Sequence, residues 1–103
     1  MQDVLSPLIL TTCSVRSFTR PSFWKTYRRL PEQVRRQARE AYRLFAEDPG
    51  HPSLHFKRVS QRRPVYSVRV NIDYRVLGLR DGDDMVWFWI GPHHEYDRML
   101  KNA

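Results

Sequence analysis

The 103 residues allow one small domain with a single hydrophobic core and leave no room for a second. Eighteen Lys plus Arg, most of them Arg, against eleven Asp plus Glu give a net charge of +7; guanidinium forks suit phosphate oxygens, so a polyanionic partner is indicated. The single cysteine, Cys13, excludes an internal disulfide and a thiolate zinc cage and fits a reducing, cytoplasmic setting, and no long apolar run speaks for a membrane.

The chain opens with "MQDVLSPLILTT", which has an apolar stretch but carries Asp3 where a signal peptide would carry basic residues. Residues 1–13 are expected to be an N-terminal arm, and residues 14–103 the domain. "SVRSFT" alternates well enough to predict a first strand. Pro21 suits the first turn of a helix, and Phe23, Tyr27 and Leu30 then share one helical face.

Pro31 opens a second helix, "PEQVRRQAREAYRLFAEDP", with Val34, Ala38, Ala41 and Phe45 forming its apolar stripe. Arg35, Arg36, Arg39 and Arg43 lie mostly off that stripe, as a solvated face or a surface for RNA. Pro49-Gly50 ends the helix. Beyond it the period changes to two: "LHFKRV" (54–59), "VYSVRV" (65–70), "YRVLGL" (74–79) and "MVWFWI" (85–90) read as strands of an antiparallel meander.

The last of these is apolar on both alternations, with Val86, Phe88 and Ile90 on one side and Met85, Trp87 and Trp89 on the other, as in a central strand or one covered on both faces. Trp87, Phe88 and Trp89 are read as core. Gly91-Pro92 breaks the strand, so that His93, His94, Glu95 and Tyr96 follow it in a loop. The expected fold is α+β in the order β-α-α-β-β-β-β, an N-terminal strand and a helical hairpin packed on one side of an antiparallel sheet of about four to five strands.

Alternation puts Ser67 and Arg69 on the face opposite Tyr66, Val68 and Val70, and Arg75 opens the neighbouring strand. An arginine on each of two paired strands, beside His93 and Tyr96 delivered by the end of a third, would make a positive cleft containing a side-chain type that titrates near neutral pH. Such a cleft can cleave RNA without metal. A base takes the 2′-OH proton, guanidinium groups stabilise the charged phosphorane and an acid protonates the leaving 5′-oxygen. Lone arginines on strands are more often solvated charges than phosphate ligands, so the weight rests on their convergence. His51 and His55 flank Pro52 in a loop, a poor arrangement for metal, and no metal site or cofactor is expected.

The sequence resembles the RelE/ParE superfamily of type II toxin-antitoxin toxins over about residues 14 to 100. The marks are the Leu30-Pro31 break between helices, the "DPGHPSLHFK" exit, the "YSVRVNIDYRV" strand pair and the final "GPHHEY". The resemblance implies a small toxin with a concave basic surface, held by a cognate antitoxin, and in RelE-like members a ribosome-dependent, metal-independent mRNA endonuclease. It assigns catalytic positions to Arg69, Arg75, His93 and Tyr96, with His94 competing with His93. The position two before Arg69, a lysine in RelE, is Ser67 here.

Lys57, Arg58, Arg62, Arg63 and His94 are candidate RNA contacts. Two other functions stay open: a ParE-like inhibitor of DNA gyrase, against which "PHHEY" argues, and a binding module that keeps the fold without catalysis, for which Ser67 argues. The expected partners are an antitoxin, the ribosome and mRNA.

Overall fold

The computed structural model describes residues 15–101, so the expected arm and Cys13 lie outside the described residues. A five-stranded mixed sheet runs in the order β1-β5-β4-β3-β2. The strands are β1 (Arg16–Thr19), β2 (Lys57–Arg58), β3 (Val65–Arg69), β4 (Tyr74–Asp81) and β5 (Asp84–Pro92), and the helices are α1 (Pro21–Tyr27), α2 (Glu32–Glu47) and α3 (His93–Lys101). Strands β2 to β5 form the meander that the turn residues predict, and β1 joins it parallel to β5.

Strand β1 reaches only as far as Trp87 on β5. Helix α1, started by Pro21, takes over that edge: Ser22 Oγ donates to the Phe88 carbonyl at 2.8 Å, and the Ile90 N–H donates to Thr26 Oγ1 at 3.2 Å. Two backbone groups that would otherwise face water at the end of a short edge strand are thereby met by side chains.

On this face of the sheet α2 buries Val34, Ala38 and Phe45, three of the four stripe residues, with Ala41 packed beside them. Phe45 and Leu54 join Val68, Met85 and Trp87 in one cluster, while Leu30, Val34 and Ala38 meet Ile90 in another. The arginines of α2 are largely occupied within the helix. Arg35 pairs with Glu32, Arg39 also approaches Glu32, and Arg43 binds both Glu40 and Glu47. Apart from the two-turn Arg39–Glu32 approach these are one-turn pairs at the helix surface, worth a few tenths of a kcal/mol each; they favour the solvated-face reading.

The structure corrects the expected strand at 54–59. Pro52–Leu54 form a 3-10 turn capped by the His51 ring, His55 takes a left-handed φ of 46°, and only Lys57–Arg58 pair as strand. Proline and the cap overrode the alternation, and Leu54 enters the core from the turn.

A second correction concerns β5. Leu77 faces Trp89 while Gly78 faces Trp87, which makes Phe88 an extra residue, a β-bulge. The alternation flips there. Met85, Trp87 and Ile90 therefore point to α1 and α2, and Trp89 points to the opposite face with Val65 and Leu77.

That opposite face is covered too, by α3, where a loop was expected. Tyr96, Met99 and Leu100 recur at i, i+3 and i+4 and pack on Val65, Leu77 and Trp89. Helices thus cover both sides of the sheet rather than one. Among the described residues no helix is long and apolar enough to cross a membrane.

Gly78 makes the bulge possible, because a Cβ there would lie 2.5 Å from Trp87 Cε3 and 2.9 Å from Met85 Cε. Gly78→Ala is expected to destabilise the domain by about 1–3 kcal/mol through overpacking. The check is urea unfolding, with a lower midpoint at constant slope as the expected result.

Candidate functional site

The face shared with α3 carries the arginines. Pairing of β3 with β4 sets Arg69 directly opposite Arg75, and the next rungs are Ser67 opposite Leu77 and Val65 opposite Leu79. On its other side Arg75 faces Gly91 of β5. A Cβ at Gly91 would lie 2.5 Å from Trp89 Cζ2, so the indole leans across this glycine and forms one wall of the arginine row. Like charges directly opposite on a sheet repel. Something must hold them together.

The hold on Arg75 comes from the β3–β4 turn. Asn71 Oδ1 accepts the N–H groups of Asp73 at 2.7 Å and Tyr74 at 2.9 Å, closing an Asx-type turn. The turn's carbonyls then point at the guanidinium: Arg75 Nη1 donates to Asn71 O at 2.7 Å and to Tyr74 O at 3.0 Å. Burial first, and then the charge of Arg69, push the Arg75 guanidinium below its ordinary value, while Tyr96 and Asp73 pull it back up. An arginine stays cationic under such a shift.

Helix α3 starts from the same turn, since the His93 N–H donates to the Asp73 carbonyl at 2.6 Å. Helical spacing places Tyr96 on the same face as His93, and their ring centroids lie 5.3 Å apart at 42°. The His93-to-Tyr96 interval is therefore one helical turn. His93 is exposed at the rim, and Tyr96 is half-buried against the apolar cluster and close enough to Arg75 to act on its charge. Arg69 and Arg75 thus lie opposite each other on this face, with Tyr96 near Arg75 and His93 beside Tyr96.

The remaining candidates divide. Lys57 is paired with Ser67 and so shares the arginine face, one rung along. Arg58 is paired with Tyr66 on the other face and donates to the carbonyls of Ser60 and Gln61, bracing its own loop. Arg62 and Arg63 are exposed in that loop, at the Val65 end of β3, about 13 Å along the strand from Arg69. His94 is largely exposed beside Glu95. Among the described residues no group of three His, Cys, Asp or Glu side chains is placed to hold a metal ion; His51 instead caps the 3-10 turn by accepting from Ser53 N–H.

Sequence reasoning treated Asn71 and Asp73 only as turn formers and missed that their carbonyls hold Arg75 and His93. The Asx turn is signalled by an asparagine before "IDY", but where its carbonyls point is a tertiary fact. Helix α3 was legible in principle: Tyr96, Met99 and Leu100 follow helical spacing, with Glu95 in the first turn and Arg98 and Lys101 in the last.

A five-stranded sheet with a helical hairpin on one face and α3 beside an arginine pair on the other defines a small α+β domain. The model of the ParE-like toxin domain family matches residues 32–98, and the chain belongs to that family. No curated protein matches it in sequence. Its fold is similar to that of a chain in the RelB–RelE antitoxin–toxin complex from Methanococcus jannaschii, at 13% identity and a TM-score of 0.65 over 80% of this chain and 96% of that one. It is also similar to a chain of the RelE–RelB complex from Pyrococcus horikoshii, at 17% identity and a TM-score of 0.61 over 77% and 94%. The YoeB/ParE toxin from Agrobacterium tumefaciens is 13% identical with a TM-score of 0.59 over 75% and 96%. Likeness at these identities is a likeness of fold.

If the arginine row is short of negative charge, inorganic phosphate should raise the thermal midpoint of the wild-type protein with concentration, as for any ligand that binds only the folded state. Arg69→Gln and Arg75→Gln should each lose most of that rise. Arg69→Gln should also stabilise the ligand-free protein by about 0.2–1 kcal/mol by removing a like-charge pair.

Proposed function

We propose that this protein is the toxin of a type II toxin-antitoxin system and acts as a ribosome-dependent mRNA endonuclease that needs no metal. The observation that supports the reading is the register of Arg69 opposite Arg75 on the face that α3 covers, with Tyr96 near Arg75 and His93 beside Tyr96. A scissile phosphate seated on the arginine row would have its developing charge met by two guanidinium groups, one of them pre-aligned by the turn carbonyls.

His93 is the proton-exchanging group in this reading. It accepts the 2′-OH proton as the 2′-oxygen attacks phosphorus; the bond to the 5′-oxygen breaks, leaving a 2′,3′-cyclic phosphate and a 5′-OH that takes up a proton. Tyr96 supplies either that proton or a surface on which a base can stack. Lys57 on the same face, and more remotely Arg62 and Arg63, would track the RNA backbone, so affinity should fall steeply with salt. Ser67 leaves this chain without the lysine that RelE has two positions before the arginine, so removal of the 2′-OH proton falls to His93.

The partner follows from the same surface. The similar folds from M. jannaschii and P. horikoshii were solved as RelB–RelE complexes, which supports an antitoxin that covers the arginine row with carboxylates. Ribosome and mRNA set the place of action as the cytoplasm. The family's ParE-like description keeps one other reading in view, a protein inhibitor of DNA gyrase.

Primer-extension mapping of mRNA 5′ ends in a reconstituted translation reaction separates the two. Wild-type protein should cut at the ribosomal A site. His93→Ala should lower the rate by about 10²–10⁴-fold, and Arg75→Ala by about 10²–10³-fold. Intact mRNA at high protein excess, together with arrested DNA supercoiling by gyrase, would replace this reading with the second.

A further inference from the structure

We propose that Gln37, on α2 and outside the cleft, is a positioning residue for the arginine site and acts through Asn71. The activity arm of the test below rests on the nuclease reading; the inference about Arg75 does not.

The three carbonyls that accept from Arg75 and the one that receives the His93 N–H all belong to residues 71–74. The turn is closed by its own bonds, with the Val70 N–H donating to Tyr74 O at 3.1 Å and Asn71 Oδ1 taking two backbone N–H groups. Those bonds set the shape of the turn but not its place over the sheet. Its tie to the helical layer is Asn71 Nδ2, which donates to Gln37 Oε1 at 2.7 Å across 34 residues of sequence in a half-buried setting.

The amide orientations are forced. Because Asn71 Oδ1 must accept from Asp73 and Tyr74, the face turned to α2 is the NH₂ donor, and Gln37 must present its carbonyl oxygen to it. Gln37 is itself anchored: its helical neighbours Val34 and Ala38 are buried with Leu30 and Ile90, and Val70 and Tyr74, which flank the turn, pack on the same cluster. A rigid helix thus offers one acceptor at a fixed point, the asparagine docks on it, and the turn's carbonyls aim the guanidinium and the first residue of α3. Without the acceptor a half-buried donor goes unmet, and the turn gains by swinging its asparagine toward water.

The test compares wild type with Gln37→Ala, which suits a helix and lacks the acceptor; Gln37→Leu, which fills the space without one; and Gln37→Glu, which restores an acceptor. The first readout is the Arg75 Nε–H resonance by ¹⁵N NMR, and the second is the single-turnover rate of mRNA cleavage against substrate affinity. Gln37→Ala and Gln37→Leu should move and broaden the Arg75 resonance and slow cleavage roughly tenfold to a hundredfold, as displacement of a catalytic group by a fraction of an ångström does, with affinity within about twofold. Gln37→Glu should return both towards wild type. An unmoved Arg75 resonance in both Gln37→Ala and Gln37→Leu would overturn the inference, and so would Gln37→Glu behaving like Gln37→Ala. If no variant of any kind cleaves mRNA, the nuclease reading fails and the NMR arm alone decides whether Gln37 positions Arg75.

Discussion

Two arginines set directly opposite each other on β3 and β4, one of them held by turn carbonyls, are the constraint around which the rest of this domain is arranged. Their repulsion costs about 0.2–1 kcal/mol on an exposed sheet and more where burial already disfavours charge, as it does at Arg75. A protein that only needed a stable fold would gain by replacing either arginine. What holds the pair is local: turn carbonyls bonded to Arg75, an asparagine that closes the turn, and a helix that starts from the same turn and lays Tyr96 beside the charge. An anion between the arginines relieves the repulsion, so the energy stored in the free protein favours binding.

Strand β5 makes this arrangement possible from the other side. As the inner strand between β1 and β4 it is the most firmly held element of the sheet, and the bulge at Phe88 divides its large side chains between two cores. Trp87 fills the space under α1 and α2, whereas Trp89 fills the space under α3 and leans across Gly91 to wall the arginine row. With regular alternation both indoles would lie on one face, and α3 would have little to pack against. The extra residue turns one sheet into a two-sided support, and His93 leaves the end of that support directly into a helix.

Much of this was legible in the sequence, for identifiable reasons. The helical hairpin could be read because Pro21 and Pro31 mark its starts and Val34, Ala38, Ala41 and Phe45 keep one period through α2. The strand pair bearing Arg69 and Arg75 could be read because "VNID" is a turn between two alternating runs, and alternation alone predicts which face they share. Two features defeated local reasoning. The bulge leaves no local mark: Met85 to Ile90 are all apolar, so either register looks acceptable until Gly78 is seen to oppose Trp87. The polar run after Gly91-Pro92 reads locally as a loop, because its polarity masks the helical spacing of Tyr96, Met99 and Leu100, whose partners Leu77 and Trp89 lie on other strands. The grip of the turn on Arg75 and His93 is a matter of carbonyl directions, which no spacing of residues encodes.

The central claim is that Arg69, Arg75 and His93 form one phosphate-binding unit. It is tested most directly by NMR titration with a short RNA carrying a 2′-deoxy substitution at each position, which can bind but not be cut. Saturable shifts with one common dissociation constant at the Arg69 and Arg75 Nε–H groups and the His93 ring are expected. Shifts confined to the arginines of α2, or separate affinities at the arginines and at His93, would contradict the claim.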